Sequence, residues 1–277
     1  MIKPSLAAAA LAVALSLPVP SFAQFATRVE AYTSGTGFAT EFGTGTPYTD
    51  AWTALGSPST ITPGDFGGPV TPFAAPYLLS QLVSLGAGGS LTVEFAAPIQ
   101  NSSLNPFGLD FLVFGSASFL DADWPNGVTD GTASMFGQAT GTTRVFAGND
   151  PGNMFLLNPS LAPVVDGRFP TDGAGNFQLP ADPALGNAAF ANKTLAQVRG
   201  LYGNSGGGTG FDLAWAVDGN NQPVGLSSAR FIRVDVLTGH SEIDAFASVL
   251  PVPEPGALVL TALGSLGIVC LRRQRRG

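Results

Sequence analysis

Apolar and polar positions along this chain fall mostly into short runs with a period of two. Leu91-Thr92-Val93-Glu94-Phe95 alternates strictly, which predicts a half-buried strand with Thr92 and Glu94 turned outward. Phe231-Ile232-Arg233-Val234-Asp235-Val236 repeats the pattern, with Arg233 and Asp235 on the wet face. Further strands are expected at Arg28 to Tyr32, Asp110 to Phe114, Thr142 to Phe146 and Phe211 to Val217. Ser90 opens the Leu91 run, and Ile243 to Val249 closes the domain. One stretch has the helical period instead. Leu195, Val198, Leu201 and Tyr202 share a face, Thr194 and Gln197 form a capping box in front of them, and Gly203 stops the helix. Thr33 to Pro76 and Asn149 to Asn192 are rich in Gly and Pro and read as loops. No internal repeat is present. The pattern as a whole predicts an all-β antiparallel sandwich with one short helix.

Both ends depart from that pattern. Lys3 precedes an apolar run from Leu6 to Leu17, and Ser21-Phe22-Ala23 supplies small residues for cleavage, so residues 1–23 read as a secretory signal peptide and the mature chain is expected to begin at Gln24. At the other end, Gly256 to Leu271 carries no charge over 16 residues. As a helix rising about 1.5 Å per residue it spans roughly 24 Å, a short crossing of a bilayer core of about 30 Å. Arg272, Arg273, Arg275 and Arg276 follow at once and hold the cytoplasmic side. Three segments result: 1–23, an ectodomain over 24–251, and 252–277.

Charge narrows the partners. Leaving out Glu254, Lys3 and the four tail arginines reduces the 19 acidic and 12 basic residues to 18 and 7, so the ectodomain carries about −11 against −7 for the whole chain. That balance argues against nucleic acid and anionic lipid surfaces as partners and leaves cations as candidates. Cys270, the one cysteine, lies in the apolar tail, so the exported domain has neither disulfide nor thiol chemistry.

Pro253-Glu254-Pro255, a short hydrophobic helix and a terminal arginine cluster, in that order, resemble the PEP-CTERM sorting signal of Gram-negative bacteria. The resemblance covers Val252 to Gly277. It implies transient insertion in the inner membrane, recognition of Pro253, Glu254 and Pro255 by an exosortase, and release to the cell surface or the exopolysaccharide matrix. The prolines suit that role, because they bar the helix from extending upstream and keep the peptide extended.

Within the ectodomain, Ser84 to Phe95, Gly108 to Gly115, Phe231 to Val234 and Ser241 to Val249 together resemble secreted bacterial surface proteins with a jelly-roll, galactose-binding-like sandwich. That resemblance implies adhesion or a matrix role rather than catalysis, with a structural calcium near the first and last strands. Glu242 and Asp244, two apart on an expected strand, face one side and are the preferred calcium ligands; Asp121 and Asp123, with Asp130 nearby, form a second candidate loop.

Catalytic patterns are weaker. Gly203-Asn204-Ser205-Gly206-Gly207 fits the nucleophile-elbow spacing, and Ser205, Asp212 or Asp218, and the single histidine His240 follow in hydrolase order. The context is wrong, because a helix precedes Ser205 and the flexible run Gly206 to Gly210 follows it. Paired carboxylates for glycoside hydrolysis are a matter of separation in space, which sequence does not show. No enzyme activity is expected. Trp52, Trp124 and Trp215, with Tyr48 and Tyr77, offer flat faces for stacking on sugars; most, Trp215 above all, are expected in the core, and Trp124 is expected to be exposed.

Overall fold

The computed structural model describes residues 25–41, 43–65, 67–130 and 141–250. The signal peptide, Gln24, the apolar tail, Pro253, Glu254, Pro255 and the four tail arginines lie outside the described residues. Among the described residues no helix is long and apolar enough to cross a membrane.

The described residues form thirteen strands: β1 (Ala26–Thr33), β2 (Ile61–Thr62), β3 (Gly68–Pro69), β4 (Val83–Gly86), β5 (Ser90–Gln100), β6 (Phe111–Phe114), β7 (Thr142–Asp150), β8 (Asn153–Leu157), β9 (Thr209–Phe211), β10 (Ala216–Val217), β11 (Ser228–Thr238), β12 (His240–Ile243) and β13 (Ala245–Ser248). Two helices join them, α1 (Asn187–Phe190) and α2 (Leu195–Tyr202). A six-stranded sheet runs β1-β5-β11-β7-β8-β10, opposed by β13-β6-β9 and by the pair β12-β4, with β2 and β3 as a separate ribbon. All pairings between named strands are antiparallel.

Register explains the core. Ile232 faces Val93 on one side and Ala147 on the other, and Val234 faces Leu91 and Val145, so each pair continues a row across three strands. These rows meet Phe111, Val113, Phe211, Ile243 and Phe246 from the opposite layer in one apolar core. Strand β6 is buried on both faces, because Leu112 and Phe114 pack with Ala245, Ala247 and Phe177 on its far side. A second cluster lies under α2, where Val198 and Tyr202 press onto Phe119, Phe169 and Phe190.

The helix forms where its signals place it. Thr194 Oγ1 accepts from the Gln197 backbone amide, Gln197 Oε1 accepts in turn from the Thr194 backbone amide, and Gly203 ends α2 with φ of 60°. Four expectations need correction. Thr92 does not point to solvent but is 6% exposed, because β5 lies inside the sheet and Ala31 and Arg233 flank Thr92 on the neighbouring strands. Phe211 to Val217 is not one strand: the Asp212 carboxylate caps a single turn over Leu213–Trp215 that separates β9 from β10. Ile243 to Val249 is likewise split, with Asp244 between β12 and β13. The glycines after Ser205 are not a flexible run; Gly206, Gly207 and Gly208 are buried, and a Cβ on Gly208 would fall 2.8 Å from the Phe114 ring. In the segments read as loops, β2, β3, β8 and α1 are regular elements.

Candidate functional site

The loop from Asp121 to Thr129 is closed by its own first residue. Asp121 Oδ1 accepts from the amides of Asp123 (2.9 Å) and Val128 (3.0 Å), and Oδ2 from that of Gly127 (3.1 Å). Burial works to raise this carboxyl, but the three amides outweigh it and hold it below the usual carboxylate range. The loop is strapped to the start of α2, since the Leu195 amide donates to Gly127 and the Thr129 amide to Lys193. Trp124 therefore stands at the tip of a tied loop, 79% exposed.

Facing it across a cleft of about 310 Å³ are the β2-β3 ribbon and the turn from Thr71 to Tyr77. Tyr77 is partly exposed and held through its carbonyl, which accepts from the Tyr48 hydroxyl. Thr62 also lines the cleft, and its buried hydroxyl has no partner among the described residues. Asp121 and Asn126 complete the polar lining. An aromatic face at an exposed tip, with an amide and a carboxylate around it, combines an apolar stacking surface with directional hydrogen bonding, which a ring bearing several hydroxyls requires. Trp124 is exposed as expected and Trp215 packs against the core. Trp52 departs from the expected burial, being 65% exposed, while Tyr48 is buried.

Glu242 and Asp244 do not form a pair of ligands on one strand. Asp244, at the break between β12 and β13, accepts from the Ser59 amide at 2.7 Å and the Ser59 hydroxyl at 2.8 Å. Glu242 accepts from the Ser116 hydroxyl. A third carboxylate, Asp166, which sequence reasoning missed, accepts from the amides of Ser116 (3.2 Å) and Ala117 (2.9 Å). Gly115 makes room for it, as a Cβ there would lie 2.3 Å from Asp166 Cγ. Burial raises all three: Asp166 well above the carboxylate range, with Glu242 and Asp244 adding repulsion, Asp244 to about 7, and Glu242 in the same direction. No arginine or lysine forms an ion pair with them among the described residues. Each of the three carboxyl groups already accepts hydrogen bonds from protein donors, whereas a calcium ion takes six to eight oxygens. Asp121, closed on its own loop, fits no better, and Asp123 Oδ2 accepts from the Asn126 amide group at 3.2 Å. Among the described residues no group of three or more His, Cys, Asp or Glu side chains is arranged to hold a metal.

The hydrolase residues serve turns. Ser205 is buried and its hydroxyl accepts from the Gly207 amide. Asp212 accepts from Ala214, and Asp218 from Asn220 and Gln222. His240 pairs in register with Gly86 on β4.

Residues 251–276 match the PEP-CTERM protein-sorting motif. No curated protein matches the chain. The motif makes an exosortase the processing partner and the protein an exported one, delivered to the cell surface or the exterior.

Proposed function

We propose that the sorted domain is a structural or adhesive, non-catalytic protein of the extracellular matrix of a Gram-negative bacterium, and that it binds neutral exopolysaccharide in the Trp124 cleft. The exposed indole of Trp124, lining one cleft with Tyr77 and Asn126, carries this reading. The ionised Asp121 and the ectodomain charge of about −11 disfavour uronate-rich chains, which leaves neutral sugars. The likeness to jelly-roll surface proteins points the same way. Matrix binding also suits a chain whose tail directs it outside the cell.

The test is affinity electrophoresis of the processed protein through gels holding a neutral β-glucan, a galactan or a uronate polymer. Retardation by a neutral polymer, lost at least about tenfold in Trp124→Ala with an unchanged melting curve, is expected. Equal retardation of Trp124→Ala, or of none of the proteins in any gel, overturns the sugar reading. Release of reducing ends that Ser205→Ala abolishes would make the protein a hydrolase.

A further inference from the structure

A second cleft, of about 190 Å³, lies on another part of the molecule, with Phe107, Leu161, Pro180, Pro183 and Trp215 among its lining and Arg168 at its side. Phe107 is held out at the rim, 55% exposed, by a backbone with φ of 59° and ψ of 12°, a conformation unfavourable for a bulky side chain. Arg168 is anchored by Nη2, which donates to the carbonyls of Pro183 (3.1 Å) and Leu185 (2.7 Å), and its guanidinium lies 5.1 Å over the Phe169 ring. No carboxylate pairs with it among the described residues, although the ectodomain has 18 acidic side chains. Outside the described residues the sequence has one acidic side chain, Glu254.

The described chain reaches this cleft as it ends. The Leu250 amide donates to Gln178, two residues before Pro180, and the Val249 amide to Asp110, next to Leu109, which also lines the cleft. Four residues beyond Leu250 in extended form cover about 13 Å. The next residues are Pro251-Val252-Pro253-Glu254-Pro255. Proline-rich extended peptides bind aromatic-lined grooves at low entropic cost because their backbone is already restricted.

We propose that this cleft receives Pro251 to Pro255 of its own chain, with the prolines and Val252 against Phe107 and Trp215 and the Glu254 carboxylate accepting from Arg168. The cleft is assembled from residues 107–109, 161–183 and 208–215, so it exists only once the domain has folded. The sorting motif is then held by a folded domain and not by an unfolded one.

The test uses the full chain, uncleaved, expressed without an exosortase and purified in detergent, with a benzophenone amino acid replacing Phe107. Irradiation is expected to join that position to residues 251–255 within one chain, read by peptide mass spectrometry. Glu254→Gln, which leaves the folded domain untouched, should cut the yield about fivefold to tenfold, the scale of a lost charge-assisted hydrogen bond. Arg168→Gln should do the same. Crosslinks elsewhere, crosslinks between two chains, or a yield insensitive to Glu254→Gln overturn the proposal.

Discussion

Stability should fall as the pH rises from 5 to 8, and Asp244 should carry much of the fall. Its carboxyl is pushed from 3.8 to about 7 by burial, with the two Ser59 bonds offsetting only part of it. A raised acid binds more protons folded than unfolded, so the slope of unfolding free energy with pH is negative between the unfolded value and the folded one. Stability from this proton is full below about pH 4 and gone above about pH 7. At 1.36 kcal/mol per unit, the displacement corresponds to about 4 kcal/mol over the whole window. Asp166 and Glu242 are shifted the same way by burial and add to the slope. Asp110, raised to about 6 by burial against bonds from Leu213, Ser102 and Asn105, adds to it mainly below pH 6. The assay is thermal unfolding of the processed protein at half-unit steps from pH 5 to 8, beside Asp244→Asn. At roughly 2–4 °C per kcal/mol for a domain of this size, the midpoint should drop by about 5–10 °C. Asp244→Asn keeps an acceptor for the Ser59 amide and should remove about 1.4 kcal/mol per pH unit of slope between pH 5 and 7, making the variant more stable than the parent at pH 8. A midpoint flat or rising across the range, or a variant with the parent's slope, refutes the reasoning.

Intact mass of the surface-recovered protein is expected to begin at Gln24 and end near Pro253 to Gly256. Glu254→Ala with Pro255→Ala should keep the tail in the membrane fraction, and identical products from both would make the tail a simple anchor. Gly208→Ala should destabilise by at least about 2 kcal/mol in urea unfolding, because its φ of +85° disfavours a side chain and the methyl would strike the buried Phe114 ring. Calcium at millimolar concentration, against a chelator, should leave the melting midpoint unchanged, since the carboxylates considered for it are occupied by protein donors; a rise of several degrees would contradict this.

Period-two patterning marked β1, β5, β7 and β11 because each has one face in the core; β6 stood out as a short apolar run because both its faces are buried, and the helix was legible because its start and stop signals are local. What escaped the sequence was set by distant partners. Thr92 looks outward by alternation, yet the neighbours that cover it come from β1 and β11. Asp212 sits in an apolar run, and its role as a cap shows only when the carboxylate meets the Ala214 amide. Of the cleft at Trp124, the tryptophan itself could be read beside Pro125 in an acidic loop. Thr62 could not, because nothing in a threonine's neighbours in sequence shows that its hydroxyl will be buried without a partner. Asp166 lies between Val165 and Gly167 in what reads as a surface turn, and its burial depends on Gly115.

Strand β11 lies in the interior of the six-stranded sheet, and Ala247 of β13 bridges to Phe25, the first described residue. Strands that complete both layers thus come from the last part of the domain to be made. A polypeptide threaded through an export channel amino end first would carry most of its apolar rows across before their partners arrive. Closure of the fold has to wait until the final strand has crossed, so both layers are completed together at the end of export.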